Sequence, residues 1–257
     1  HDLFRLYDSE AWATALAGRP GFMDSPDAQH LVLNARPVAG DPLAPVLSAD
    51  HAVGLSVGLL GIEPHTRRRN RMNGVVSATN AEGFAVQVSQ SFGNCPKYIQ
   101  AREPVFIGSA GAQPVVEQAG TLDDEARALL TAADTFYIAT AHPGANASAL
   151  ASAAQGVDVS HRGGSPGFVR VDTDASLAVP DFAGNAFFNT LGNLALNPRC
   201  GLLFIDYATG DLLYVAATAT VSWDAADAAR YPGAQRVVQL QVQQMRRLRA
   251  ALPLRWS

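Results

Sequence analysis

The chain contains two related segments, and this internal repeat constrains the fold more than any other feature of the sequence. Residues 17–23 (AGRPGFM) correspond to residues 163–169 (GGSPGFV), and residues 58–63 (GLLGIE) correspond to residues 201–206 (GLLFID). The offset is 146 positions for the first pair and 143 for the second. A repeat of this length is far longer than a solenoid repeat, so it predicts two similar units of barrel or sandwich size.

Composition limits the number of domains and the class of partner. A chain of 257 residues with 48% hydrophobic and 16% charged residues can bury one large core or two modest ones. The repeat favours two, and we expect one domain over residues 1–118 and another over residues 119–257. The net charge of −4 and a pI near 5.8 argue against nucleic acid as a partner, because such proteins normally carry a basic excess.

The sequence predicts neither a membrane partner nor a metal. The longest apolar run, residues 52–62, is well short of the roughly 20 residues that a membrane helix needs. Cys95 and Cys200 form no C-x-x-C pattern, which favours a reducing, cytoplasmic location over a disulfide framework. The histidines and cysteines show no zinc-binding spacing, so we expect no metal site.

Hydrophobic periodicity predicts a mainly β fold with few helices, built as two small barrels. Val238, Leu240 and Val242 alternate with glutamines, which is typical of a strand with one buried face. Helices are expected over residues 121–134 and 187–196. The predicted strands cover residues 3–7, 11–16, 30–34, 53–63, 70–78 and 84–90 in the first copy, and 135–141, 157–162 running on to 168–171, 177–179, 201–206, 212–223 and 236–243 in the second.

Residues 160–170 form the densest cluster of glycine and polar residues. Glycines allow close approach of a ligand to the backbone, and arginines with serine hydroxyls can bind phosphate, so one interpretation is an anion site. The alternative is a glycine-rich hairpin turn. The cluster also matches G-x-S-x-G at Ser165, but every histidine precedes that serine, so the order of a hydrolase triad fails.

Cationic residues mark the first copy. Arg67, Arg69 and Arg71 would share one face of a strand, whereas the equivalent positions of the second copy are neutral. This pattern indicates either a solvated strand face or a clamp on an anionic ligand held by the other copy. On the segment after the last strand, Lys97 is a better ligand candidate than Cys95, which we interpret as structural.

Taken together, these motifs resemble the pyridoxamine 5′-phosphate oxidase-like family, the FMN-binding split β-barrels, and within it a bacterial branch with two such barrels in tandem. The resemblance covers nearly the whole chain. The segments that carry it are DVSHRGG at 158–164, PGFVRV at 166–171, PDF at 180–182, NTLGNL at 189–194, TRRRNR at 66–71 and GNCPKYIQ at 93–100.

The resemblance implies that FMN lies at the seam between the two barrels. Arg170 stands where the family commonly has a lysine, and Thr190 stands where it often has a phosphate-binding lysine, which is a departure from the family pattern. The first copy would contribute across the seam, mainly through Arg69. The implied cofactor residues are His161, Arg162, Ser165, Phe168, Val169, Arg170, Asp181, Asn185, Asn189, Thr190 and Asn193, with Arg69, Arg71 and Lys97 from the first copy.

The resulting hypothesis is an FMN-binding flavoprotein, an oxidoreductase acting on a small-molecule substrate or electron donor. The alternative is a non-catalytic module that binds flavin, haem or deazaflavin. No residue is identified as catalytic, although His161 is the best acid or base by residue type. We expect a homodimer, while two barrels in one chain could also form a pseudo-dimer by themselves.

Overall fold

The computed structural model describes residues 11–47, 52–93, 95–108, 114–145, 156–184 and 187–256. The predicted strand at residues 3–7 and the predicted site residue Asn185 lie outside these ranges. Within them the chain is rich in strand and poor in helix, which confirms the mainly β class.

The first sheet is antiparallel and has five strands, which are β1 (Met23–Asp27), β2 (His30–Leu33), β3 (Ser56–Glu63), β4 (Arg68–Thr79) and β5 (Phe84–Gly93). Their order across the sheet is β1-β2-β5-β4-β3. A short helix, α1 (Ala44–Leu47), precedes β3, and a 3-10 turn (Pro64–Thr66) connects β3 to β4.

The strands of the second sheet are β7 (Val116–Ala119), β8 (Thr135–Ala141), β9 (Val157–Gly163), β10 (Arg170–Val171), β11 (Ser176–Phe182), β12 (Arg199–Ile205), β13 (Leu212–Ser222) and β14 (Ala234–Leu248). Their order is β10-β11-β14-β13-β12-β8-β9, and β7 pairs with the C-terminal end of β14. Between them lie the helices α2 (Asp124–Ala132), α3 (Asn189–Leu196) and α4 (Ala225–Ala228), and a separate pair joins β6 (Pro104–Phe106) to β15 (Leu254–Trp256).

Local sequence explains the elements that form the core of the second sheet. Val238, Leu240 and Val242 on β14 are buried and their glutamine neighbours are exposed, as the alternation predicts. Helix α2 begins at the N-cap Asp123, whose carboxylate accepts a hydrogen bond from the backbone N–H of Ala126 at 2.7 Å. Both predicted helices are present, each starting two or three residues later than expected.

Five strands of each sheet follow the same spatial order, since β1-β2-β5-β4-β3 matches β10-β11-β14-β13-β12. The second sheet continues past β12 with β8 and β9, which leaves β9 at its edge. Strand β3 of the first sheet packs closely on that edge: a Cβ added at Gly58 would lie 3.3 Å from the backbone nitrogen of Val159. The contact between the two sheets along β9 is called the seam below.

Three local predictions were wrong. Residues 11–16 form no strand but an irregular segment packed on β12, where the absence of a side chain at Gly201 makes room for the backbone of Ala11. Strand β9 does not run on through residue 171, because the chain turns after Gly163 and Gly167 adopts a φ of +88°. Arg67 does not share the β4 face, since it ends the preceding 3-10 turn in a left-handed conformation.

Candidate functional site

Two arginines of β4 reach across the seam to β9. The Nη1 atom of Arg71 donates to Asp158 Oδ1 at 2.7 Å, and its Nη2 atom donates to Ser160 Oγ at 2.6 Å. Two residues earlier on β4, Arg69 Nη1 lies 3.2 Å from His161 Nδ1. The first sheet therefore places two cations against the predicted ligand segment of the second.

The Arg71 contact belongs to a buried network in which both of its Nη atoms have partners. Thr190, at the start of α3, places its hydroxyl 2.7 Å from Asp158 Oδ2 and 2.9 Å from Ser160 Oγ. The four residues Arg71, Asp158, Ser160 and Thr190 are each at most 6% exposed. Because the carboxylate neutralises the guanidinium and also accepts from the hydroxyls, this network holds the two sheets and α3 together.

Arg69 lacks such a partner. Within the described residues no carboxylate forms an ion pair with Arg69, and the Nε atom of Arg69 is buried without a hydrogen bond. The Nε2 atom of His161 is buried without a partner as well. A half-buried guanidinium with no counter-charge is unfavourable by itself, so its setting favours an anionic or electron-rich ligand.

His161 is held in the neutral form. Burial first, and then the positive charges of Arg69, Arg162 and Arg102, lower the pKa of His161 to about 3. A guanidinium can only donate, so Nδ1 accepts from Arg69, and the neutral ring carries its proton on Nε2. Arg69 Nε–H and His161 Nε2–H are therefore both buried donors for which the structure shows no acceptor.

A second charged cluster adjoins the seam. Asp181 on β11 accepts from Arg162 at 2.6 Å through one oxygen and from Arg236 at 2.7 Å through the other. Two guanidinium groups share this one carboxylate, which leaves a surplus of positive charge. Burial first, and then the charge of Arg162 among other groups, lowers the pKa values of Arg69 and Arg71, so the two clusters belong to one cationic region.

Aromatic side chains border the cationic region. Arg71 lies over the ring of Phe92 at 5.6 Å, and Phe92 meets Phe187 edge to face with ring centroids 6.0 Å apart. Tyr98 and Phe182 approach each other with centroids at 5.5 Å. Aromatic faces beside guanidinium groups can accommodate a planar ring system.

The segment that carries Tyr98 is fixed closely against β9. Tyr98 has a φ of +67° and its hydroxyl donates to the carbonyl of Ala183 at 3.0 Å. A Cβ at Gly163 would come within 2.3 Å of the Tyr98 carbonyl oxygen, so glycine is needed there. The neighbouring Lys97 is exposed, and Cys95 is half-buried.

The structure brings six of the predicted site residues together at or beside the seam: Arg69, Arg71, His161, Arg162, Asp181 and Thr190. The hydroxyl of Thr190 is directed to Asp158. Asn189 is half-buried at the start of α3, and Asn193 donates to Thr140 at 3.2 Å on its buried side.

Other predicted site residues lie elsewhere. Phe168 and Val169 are part of the hydrophobic core, and Phe168 stacks on Phe136 with centroids 5.8 Å apart. Ser165 is exposed in the turn after β9, and Arg170 is exposed and paired with Asp172. This arrangement differs from the expectation that Phe168, Val169 and Arg170 line a ring and phosphate.

Sequence reasoning missed Asp158, Ser160 and Arg236 as members of the site. Asp158 and Ser160 alternate with the apolar Val157 and Val159, and this period-two pattern places them on one face of β9. A carboxylate close to basic residues in the same segment is a sequence signal that we could have used. Arg236 gives no such signal, because its partner Asp181 is distant in sequence.

A large cavity lies beside the seam. Its volume is about 1330 Å³, and apolar side chains of both sheets line most of it, including Leu59, Tyr137 and Val159. Neither Arg69 nor His161 lines this space. The charged cluster, rather than this mostly apolar cavity, therefore defines the candidate site.

Membrane-spanning helices and metal-binding clusters are absent from the described part of the chain. No helix there has both the length and the apolar character that crossing a membrane requires. The same ranges contain no group of three His, Cys, Asp or Glu side chains suited to hold a metal ion.

Comparison with known proteins finds similarity among solved structures, whereas no family model and no curated protein matches the chain. A single-residue variant of HupZ from Group A Streptococcus is 14% identical, with a TM-score of 0.37, over 48% of this chain and 97% of that one. A protein described as a candidate pyridoxamine 5′-phosphate oxidase from Lactobacillus delbrueckii is 20% identical, with a TM-score of 0.37, over 49% and 94%. An FMN-binding protein from Syntrophomonas wolfei is 11% identical, with a TM-score of 0.34, over 48% and 82%. Pyridoxamine 5′-phosphate oxidase-like and FMN-binding proteins, which the sequence motifs resemble, thus occur among these structures.

Proposed function

We propose that the seam binds FMN and that the chain is a flavin-dependent oxidoreductase acting on a small molecule. One observation carries this proposal: Arg69 is a half-buried cation with no carboxylate partner among the described residues, and it contacts a neutral His161. The phosphate and the carbonyl oxygens of FMN are acceptors, and the unpartnered groups at the seam are donors.

The residues present fit FMN in charge and in hydrogen-bonding character. Arg69 Nε and His161 Nε2–H would donate to the acceptor atoms, and the nearby pair of Phe92 and Phe187 offers apolar ring surface at the border of the region. FMN, when bound, supplies the hydride or electron transfer, and the protein supplies position and electrostatics. A neutral His161 can hold a proton at Nε2 in a hydrogen bond but carries no positive charge near neutral pH.

The absorption spectrum tests the proposal. Purified protein is mixed with FMN, passed through gel filtration to remove unbound flavin, and scanned; we expect retained flavin bands that fade on addition of NADH or NADPH. Retained bands without reduction would support a binding module without this activity. Loss of all flavin on the column would contradict the cofactor assignment, and the same assay would then be run with haem and with deazaflavin.

We also propose two tandem domains, divided near residues 118 and 119, and a homodimer in the cytoplasm. The shared strand order of the two sheets supports the tandem arrangement. Strand β7 (Val116–Ala119) spans this boundary and pairs with β14, so residues 116–118 pack with the second domain. The elution volume in the gel-filtration experiment measures the oligomeric state.

A further inference from the structure

Next to the seam, two exposed aromatic rings enclose a guanidinium group. Phe188 and Trp223 are 45% and 60% exposed, and their ring centroids are 6.4 Å apart. The Cζ atom of Arg236 lies 4.8 Å from the Phe188 centroid and 5.0 Å from the Trp223 centroid. Large aromatic side chains left this exposed lose the favourable burial that they would contribute inside the fold.

Arg236 is fixed in place before any ligand arrives. Its side chain is 16% exposed and donates to Asp181, whose side chain is 8% exposed and also accepts from Arg162. Within this trio the two cations exceed the one buried anion by one positive charge. A ligand that satisfies this patch therefore needs a flat π surface and a negative group at a short distance from it.

We propose that Phe188, Trp223 and Arg236 form a nucleotide site, in which the base stacks on Trp223 and a phosphate pairs with Arg236. Stacking of a base on an aromatic ring and pairing of phosphate with arginine together use every feature of the patch. The site is connected to the seam through Asp181 and Arg162, so the nucleotide lies beside the FMN site. Its role as the site of a nucleotide electron donor rests on the proposed function, but the binding of a nucleotide does not.

ADP is the probe, since it has the base and phosphates of such donors without redox activity. Binding is measured by equilibrium dialysis on the protein as purified and after loading with FMN. We expect Trp223→Ala and Arg236→Gln each to weaken ADP binding about tenfold or more, while Trp223→Phe, which keeps a ring, changes it by less than about threefold. Arg230→Gln is the matched control: Arg230 is exposed, pairs with Asp227 and should leave ADP binding unchanged.

Three results would overturn the inference: no binding of ADP to the wild-type protein, displacement of FMN by ADP, or Trp223→Ala binding ADP as well as the wild type. If Arg236→Gln fails to fold, Arg236→Lys takes its place in the comparison, because lysine keeps the positive charge but lacks the planar guanidinium group. Trp223-dependent ADP binding by protein that retains no FMN would support this site while contradicting the proposed function.

Discussion

At the scale of single residues, the protonation of His161 decides what the seam can offer. The imidazole is 6% exposed and faces the charges of three arginines, so the folded chain disfavours its cationic form. The sequence identified His161 as the best acid or base by type. The structure instead makes it a neutral hydrogen-bond donor near neutral pH, a property that depends on neighbours distant in the chain.

This depressed pKa predicts an acid-dependent loss of stability. The unfolded chain takes up a proton at His161 below about pH 6.5, while the folded chain keeps this residue neutral down to about pH 3. The contribution of the neutral His161 to the unfolding free energy is therefore complete above about pH 6.5 and is lost as the pH falls toward about 3. Between pH 7 and pH 5 we expect the wild type to lose about 2 kcal/mol more unfolding free energy than His161→Gln, measured by urea titration.

The exposed His65 provides the control for this experiment. His65→Gln should lose stability between pH 7 and pH 5 to the same extent as the wild type. Equal losses for the wild type and His161→Gln would show that the folded protein protonates His161 as readily as the unfolded chain does.

At the scale of elements, the contact of β9 with β4 and α3 depends on one carboxylate. Asp158→Asn would leave Arg71 buried without a counter-charge, and we expect a loss of about 3 to 5 kcal/mol in unfolding free energy. Asp172→Asn is the matched control, since Asp172 forms an exposed pair with Arg170 and should lose about 1 kcal/mol or less.

If Asp158→Asn does not fold, Thr190→Val tests the same network more gently. Removal of the hydroxyl that contacts Asp158 should lower the unfolding free energy by about 1 to 3 kcal/mol. A folded Asp158→Asn protein as stable as Asp172→Asn would show that the network does not hold the elements together.

Gly163 tests how closely the Tyr98 segment packs on β9. A methyl group there would overlap the Tyr98 carbonyl at 2.3 Å, so Gly163→Ala should lower the unfolding free energy by about 1 to 3 kcal/mol. Gly61→Ala on β3 is the comparison, because its nearest neighbour would be 3.8 Å away. Equal thermal midpoints for the two variants would contradict the close packing.

The hydrophobic pattern of the sequence predicted strands that bury apolar residues, and it failed where tertiary packing determines the backbone conformation. Strand β8 was predicted at its observed position from a short apolar run, and the alternating residues 236–243 of β14 were predicted, whereas that strand extends to Leu248. Strand β1 has only exposed residues and no apolar alternation, so it was not predicted. Residues 11–16 form a short, mostly apolar run that is also typical of a strand, but they pack as an irregular segment on Gly201, which only the tertiary structure could show.

At the scale of the whole molecule, the site exists because two sheets meet. The sequence indicated the cations of one copy and the ligand segment of the other, and the repeat suggested a seam between them. It could not pair Arg71 with Asp158, which is 87 residues away, or reveal that Arg69 has no carboxylate partner within the described ranges. Those features depend on how the strands pack, which residue spacing does not encode.

The central claim is that Arg69 recognises FMN at the seam, and a titration of FMN fluorescence tests it most directly. Arg69→Ala should weaken FMN binding about tenfold or more, because a charge-assisted contact in a partly buried site is lost. Arg68→Ala, on the exposed face of the same strand, should bind FMN within about twofold of the wild type. FMN binding by Arg69→Ala that equals the wild type, or an equal loss in both variants, would contradict the account.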